Sequence, residues 1–235
     1  MYWFMTGCCV GSFLCVVAER SLRGENYVTG RSHCDYCGHK LKWFDLIPLV
    51  SWMLLKGRCR YCNQKIGITP FLMELVCGIS YLLISMRYSG FIMIMYILLV
   101  SVMLLIALRD LKSMTVSGKS LNILFIISII IMSVSSTPVE DRWKGLSVFA
   151  ILLIIKFLFN GFGDGDIYVF LLLGISLGFE KTVLTFLLSL PVCCFYGAVM
   201  KKGGMICYLP SVYVGLIISL TWGEMITDWY LYTFF

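Results

Sequence analysis

Apolar residues occupy most of the chain, in long runs that charged and turn-forming residues interrupt. Eight runs have the character of membrane helices, at approximately 1–18, 71–86, 91–108, 121–135, 146–160, 167–179, 182–200 and 207–226. Several are shorter than the roughly 20 residues that cross a bilayer. We therefore expect tilted helices, or helices that end inside the membrane beside a protein-lined cavity. The pattern predicts an all-α, polytopic integral membrane protein.

The composition supports this prediction. Of 235 residues, 60% are hydrophobic and 14% are charged. A soluble domain has about 45–50% apolar and about 25% charged residues. A soluble protein of this size could not bury this much apolar surface. The lipid bilayer must therefore solvate most of it. We expect no nucleic-acid partner.

The distribution of Lys and Arg predicts the orientation of the helices. If the N-terminus lies outside, loops 19–70, 109–120, 161–166 and 201–206 face the cytoplasm and carry fourteen of these residues. The opposite side carries four. Positive residues accumulate in cytoplasmic loops. We therefore expect a multi-pass membrane protein with both termini outside.

This orientation of the helices divides the chain into three parts. The first transmembrane helix is expected at 1–18, a cytoplasmic loop at 19–70, and a transmembrane core at 71–235. The loop and the core carry different candidate chemistry.

Four of the eleven cysteines form two CxxC pairs in the loop: Cys34, Cys37, Cys59 and Cys62. Two such pairs present four thiolates at the spacing of a tetrahedral zinc site. Two disulfides are the alternative, but they conflict with a reducing cytoplasm, and a metal-free loop is a third reading. Because four ligands leave no open coordination position, zinc here would organise the loop and would not attack a substrate.

Acidic residues mark two membrane-surface positions in the core. Asp110 directly follows an apolar run, where an ordinary interfacial charge is the alternative. Asp164 and Asp166 lie in a glycine-rich break between two apolar runs. An ordinary turn is the alternative interpretation of this break. Glycines permit close backbone approaches, so we assign Gly163 and Gly165 to substrate binding.

The predicted topology brings Asp110 and Asp166 to the cytoplasmic side on different helices. Two converging carboxylates cannot both ionise easily, so one keeps a proton. A general acid and a general base then act together on water and a peptide carbonyl, as in aspartic proteases. The chain contains no HExxH, GxSxG or Walker motif that would indicate a competing chemistry.

These motifs, in this order, resemble the type IV prepilin peptidases, including the competence-type enzymes. The resemblance covers most of the chain and is carried by these segments: Gly11-Ser12-Phe13-Leu14, Cys34 to Ser51, Gly57 to Cys62, Glu74-Leu75, Ala107 to Leu111, Gly163 to Asp166, and Leu209-Pro210. It implies an aspartic endopeptidase that removes prepilin or pseudopilin leaders on the cytoplasmic side. Many members also methylate the new N-terminus with S-adenosylmethionine.

The resemblance implies Asp110 and Asp166 as the catalytic pair. Asp164 also completes a GxGD motif, so it is the alternative second aspartate. The family pattern GxGxGD with a later glycine favours Asp166, through Gly161 and Gly174. Glu74 is a candidate for substrate binding, with an interfacial charge as the alternative.

Three departures from the family pattern concern neighbouring positions. Tyr168 replaces a usual lysine, Cys15 replaces an asparagine, and the segment 114–117 differs from the usual Ile-Pro sequence. No glycine motif for S-adenosylmethionine is recognisable, so methyl transfer is an optional second activity. A solute transporter and a non-enzymatic zinc-loop scaffold of a pilus or secretion assembly are the competing functions.

Overall fold

A computed structural model describes residues 1–26, 30–159, 163–200 and 207–234. Gly161 of the glycine break and the predicted loop 201–206 lie outside these ranges. The α-helices in the described ranges are α1 (Tyr2–Arg23), α2 (Val50–Leu54), α3 (Thr69–Arg87), α4 (Gly90–Ser113), α5 (Gly118–Val134), α6 (Val139–Phe159), α7 (Asp164–Leu177), α8 (Phe179–Met200) and α9 (Leu209–Phe234). The prediction of an all-α membrane protein is confirmed.

Each of the eight apolar runs corresponds to one helix of the described residues, and most of these helices are longer than their runs. α1 continues past its apolar part to Arg23, and it ends where Gly24 adopts a left-handed conformation at φ 71°. Hydropathy marks where apolar character stops, whereas a helix continues until its backbone hydrogen bonding is broken. Within the described ranges, α1, α3, α4, α8 and α9 are long and apolar enough to cross a membrane.

The chain forms two compact units, Met1–Ser85 and Met86–Phe235. In the first unit, α1 approaches α3 closely at two glycines spaced four residues apart. A Cβ atom on Gly7 would lie 2.7 Å from the Cys77 carbonyl oxygen, and one on Gly11 would lie 2.7 Å from that of Met73. This is the close packing that small residues at this spacing allow in membranes.

The second unit is a bundle of α4 to α9 with α7 packed against α5, α6 and α8. α7 has 14 residues, so it rises only about 21 Å, less than the ~30 Å hydrocarbon core. Much of it is buried, including Phe170 and Leu173. The first turn of this short helix carries Asp164 and Asp166 and is exposed at Asp164, and burial begins at Ile167.

α6 and α7 touch through a pair of glycines. A Cβ atom on Gly174 would lie 2.8 Å from the Gly145 carbonyl oxygen, and the converse distance is also 2.8 Å. Gly174→Ala is therefore expected to destabilise the protein by about 1–3 kcal/mol, as overpacking does. Gly118→Ala is the control, since a Cβ atom there would meet nothing within 4 Å. Thermal unfolding in detergent should show a lower Tm for the Gly174 variant alone, and equal Tm values would contradict the close crossing.

Candidate active site and metal site

Asp110 lies in the last turns of α4, with 8% of its surface exposed. Its Oδ2 atom accepts a hydrogen bond of 3.2 Å from the Leu209 backbone N–H. Leu209 is the first residue of α9, so this N–H is one that the helix itself cannot satisfy. The positive end of the α9 dipole favours a negative charge at the same point. The start of α9 therefore orients and stabilises the Asp110 carboxylate.

Asp166 lies in the first turn of α7 and is half-buried. Its Oδ2 atom accepts a hydrogen bond of 3.2 Å from the Gly163 backbone N–H. The side chain thus caps the helix that carries it. Asp110 lies close enough to act electrostatically on the Asp166 carboxylate. The two carboxylates come from different helices: Asp110 contacts the N-terminal end of α9, and Asp166 lies at the N-terminal end of α7.

Asp164 has a different environment, although it lies only two residues from Asp166. Its side chain is 82% exposed and forms an ion pair with Lys156 of α6. An exposed carboxylate paired with lysine is solvated and neutralised by its partner. Asp166 therefore lies within electrostatic reach of Asp110, whereas Asp164 pairs with Lys156.

The glycines of the break have separate surroundings. A Cβ atom on Gly165 would collide with the side chain of Val116. Val116 belongs to the segment between α4 and α5, so this glycine lets the chain after Asp110 pack against the start of α7. A Cβ atom on Gly163 would lie 3.4 Å from the Asp166 carboxylate. Their assignment to substrate binding stays a prediction.

The four loop cysteines come together in the first unit. Their sulfur atoms all lie within 4.8 Å of one another, and those of Cys34 and Cys62 are 3.9 Å apart. Tetrahedral Zn–S bonds of about 2.3 Å place sulfurs about 3.8 Å apart. A disulfide would need about 2.05 Å. The tetrad therefore has the dimensions of a metal site.

Each cysteine pair lies in a tight turn of the same construction. The Gly38 N–H donates to the Cys34 carbonyl at 2.8 Å, and the Asn63 N–H donates to the Cys59 carbonyl at 2.9 Å. Gly38 and Asn63 both have positive φ, at 67° and 58°. The Cys62 backbone N–H lowers the pKa of the Cys59 thiol to about 7, against the opposing effect of burial. These turns aim thiolates at a common point, as metal binding requires.

Asp45 connects the second cysteine turn to the rest of the loop. Its carboxylate accepts hydrogen bonds from Arg60 Nε at 2.8 Å and from the Tyr61 hydroxyl at 3.1 Å, and its side chain is 3% exposed. Burial alone would raise the pKa of this carboxyl, but the bonds from Arg60, the Lys42 backbone and Tyr61 lower it overall. Asp45 thus holds the second turn in place.

Two family models match the chain. The model described as "Bacterial Peptidase A24 N-terminal domain" matches residues 5–88, the stretch that holds the cysteine tetrad. The model described as "Type IV leader peptidase family" matches residues 97–198, the stretch that holds both aspartates. The chain belongs to the type IV leader peptidase family.

Several relatives of this leader peptidase family member are named "Prepilin leader peptidase/N-methyltransferase". The Bacillus subtilis (strain 168) protein is 24% identical over 97% of this chain and 96% of its own length. The Stutzerimonas stutzeri protein is 28% identical over 93% of this chain and 81% of its own length. The Myxococcus xanthus protein is 38% identical over 50% of this chain and 37% of its own length. No solved structure matches the chain significantly.

Glu74 is buried, and its Oε2 atom accepts a hydrogen bond of 2.7 Å from the Leu49 N–H. Leu49 has φ 62° and ψ −49°, a costly conformation for a branched side chain. Glu74, on α3, therefore holds a strained turn of the loop directly before α2. A role in substrate binding stays a prediction.

Replacing Glu74 is expected to loosen the turn at Leu49 only if the new side chain offers no oxygen to the Leu49 N–H. Glu74→Leu leaves the Leu49 N–H without its acceptor, and a buried unsatisfied donor costs about 1–3 kcal/mol. Glu74→Gln keeps an oxygen at the same place and serves as the matched control. Backbone hydrogen exchange at residues 49–52 should accelerate in the leucine variant and change little in the glutamine variant. Equal exchange in both would show that the contact does not hold the turn.

Sequence reasoning missed the residues that hold Asp110 in this peptidase. Leu209 entered only through the Leu209-Pro210 resemblance, and Cys207 only as the first residue of the apolar run at 207–226. Pro210 carried a usable signal, since proline favours the first positions of a helix. The start of α9 could therefore be recognised from the sequence. Its contact with Asp110, which lies 99 positions earlier, could not.

Proposed function

We propose that this protein is a membrane-embedded aspartic endopeptidase. It removes the leader peptide from type IV prepilin or pseudopilin precursors at the cytoplasmic side of the bacterial plasma membrane. The observation that carries the proposal is the approach of Asp110 and Asp166, while Asp164 turns to Lys156. The names of the full-length relatives support the substrate class.

The two carboxyl groups share one proton in the active enzyme. The ionised carboxylate removes a proton from water as the water oxygen attacks the scissile carbonyl carbon. The protonated carboxyl donates its proton to the carbonyl oxygen, which yields a tetrahedral diol. As the C–N bond breaks, the carboxyl group that took the water proton gives it to the leaving amine. The other carboxylate removes a proton from a diol hydroxyl, which leaves a carboxylic acid and restores the shared proton. The Leu209 N–H stabilises the ionised state at Asp110.

The cysteine tetrad holds a structural zinc ion in this proposal. The spacing of the four sulfur atoms supports it. Cys34, Cys37, Cys59 and Cys62 fill all four positions of a tetrahedral ion, so zinc supplies rigidity to the loop and no chemistry. The loop at 19–70 then acts as an ordered element between the helix at 1–18 and the protease core at 71–235.

Methyl transfer from S-adenosylmethionine to the new N-terminus is the second proposed reaction, supported by the names of the relatives. The basic loops support cytoplasmic placement of both aspartates, with the two termini outside. Proteins of a pilus or secretion assembly are the expected further partners.

Purified protein incubated with a prepilin precursor in detergent tests this function. The expected result is a shortened product whose new N-terminus lies at the leader boundary by mass spectrometry. With S-adenosylmethionine present, the same product should gain the mass of one methyl group. A folded protein that leaves the precursor intact would support the scaffold function instead. Cleavage without methylation would restrict the protein to its peptidase activity.

A further inference from the structure

The segment Cys207–Leu209 contacts Asp110 at two points. The Leu209 N–H donates to Asp110 Oδ2 at 3.2 Å, and the Cys207 thiol donates to the Asp110 carbonyl oxygen at 3.3 Å. The residue between these two donors is Tyr208, which is buried with 7% of its surface exposed. Any movement of Tyr208 would therefore move both groups that hold Asp110.

Tyr208 is anchored to α8 by a buried hydrogen bond. Its hydroxyl oxygen lies 2.5 Å from Ser189 Oγ. The Ser189 hydroxyl itself donates to the Phe186 carbonyl oxygen at 2.7 Å. Since its only hydrogen is committed there, Ser189 must accept from the Tyr208 hydroxyl. The resulting chain of bonds runs from the segment beside Asp110 to the backbone of α8.

The ring of Tyr208 also reaches the helix that carries Asp166. It stacks on Phe170 with ring centroids 6.2 Å apart and an interplanar angle of 26°. Phe170 is fully buried and lies one helical turn after Asp166 on α7. Phe170 in turn meets Phe186 of α8 edge to face, at 5.7 Å. Tyr208 thus contacts the helix that carries Asp166 and lies between the two residues that bind Asp110.

We infer that Tyr208 is a positioning residue, which fixes the geometry of the Asp110–Asp166 pair through its hydrogen bond to Ser189 and its stack on Phe170. The inference rests on the proposed role of the two aspartates. Proton transfer depends on where the carboxyl oxygens stand relative to water and substrate. A small displacement of a catalytic group lowers the rate strongly while it leaves substrate binding largely intact.

The test measures kcat and KM for cleavage of a purified prepilin precursor. Tyr208→Phe removes one hydroxyl and keeps the ring stack, and Ser189→Ala removes the acceptor. Each is expected to lower kcat about tenfold, with KM changed by less than about twofold. The double variant should be no slower than the worse single variant, because both changes break the same bond. The pH dependence of kcat should also shift in both, since the proton-sharing geometry has changed.

Tyr88→Phe is the matched control. The Tyr88 hydroxyl also donates to α9, to the Leu220 carbonyl at 2.9 Å, but Leu220 lies about 16 Å along the helix from Leu209. Removing the Tyr88 hydroxyl should leave kcat and the pH profile of cleavage unchanged. Thermal unfolding of all variants in detergent separates lost stability from lost geometry.

A kcat and pH profile for Tyr208→Phe equal to those of Tyr88→Phe would overturn the inference. Losses in kcat that multiply in the double variant would do the same. If Tyr208→Phe fails to fold, Ser189→Ala alone decides by the same measurements. Asp110→Asn, assayed in parallel, separates the two proposals: cleavage retained there defeats the aspartate pair, whereas a normal Tyr208 variant defeats only the positioning role.

Discussion

Asp110→Asn is expected to lower the rate of prepilin cleavage by about 1,000-fold or more, the range that a lost general acid or base produces. Asparagine has nearly the size of aspartate and keeps an oxygen that accepts the Leu209 N–H. The local fold should therefore survive while the exchangeable proton is lost. Single-turnover assays in detergent measure the rate, and an unchanged Tm shows that the protein is folded.

Asp166→Asn is expected to have an effect of the same size, because the two carboxyl groups share one proton. The double variant should be no slower than either single variant, as happens when residues act as one unit. Losses that multiply to about a million-fold would indicate two independent functions. Wild-type cleavage by either single variant would remove that residue from the catalytic pair.

Removing thiolates from the tetrad is expected to release the bound metal. The wild-type protein should contain about one equivalent of zinc, and Cys34→Ser/Cys59→Ser should contain almost none. Together the two substitutions remove one ligand from each cysteine turn, and the two thiolates that remain cannot complete a tetrahedral site. Because the metal joins the two turns, residues 30–68 should also become sensitive to limited proteolysis.

Cys9→Ser is the control for this experiment. Cys9 is an exposed cysteine of α1 in the same unit, and it is not part of the tetrad. Its replacement should keep the zinc content and the protease resistance of the wild type. Elemental analysis of the purified proteins measures their zinc content. A folded wild-type protein without zinc would contradict the proposal of a structural metal.

The helices could be predicted from the sequence because lipid imposes a simple requirement. Every membrane helix needs a long apolar run, and each of the eight runs is helical. The ends could not be predicted so well, since α1 and α4 continue through charged residues such as Arg20 and Asp110. α2 was missed for a related reason: five residues at Val50–Leu54 are too few to carry a periodic signal.

The candidate site shows the same division between local and distant information. The cysteine tetrad could be predicted because the spacing within each pair is local and the ligand chemistry is specific. The preference for Asp166 over Asp164 came from a motif, and the geometry adds a physical reason for it. Asp164 finds Lys156 on α6, a contact between two helices that no local pattern specifies.

The supports of the aspartates could not be predicted at all. Leu209 reaches Asp110 across 99 positions, and Ser189 reaches Tyr208 across 19 positions that include a helix end. A backbone N–H carries no sequence signal of its partner, since every residue except proline has one. Serine in an apolar helix is also ordinary, because its hydroxyl can bond back to the same helix.

The most direct test of the central claim compares Asp166→Asn with Asp164→Asn in one cleavage assay. The two substitutions make the same chemical change two residues apart in the first turn of α7. Asp164→Asn breaks only an exposed ion pair, worth at most ~1 kcal/mol, and should cleave within about fivefold of the wild-type rate. Asp166→Asn should lose about 1,000-fold or more. Cleavage that survives in Asp166→Asn and disappears in Asp164→Asn would contradict the account.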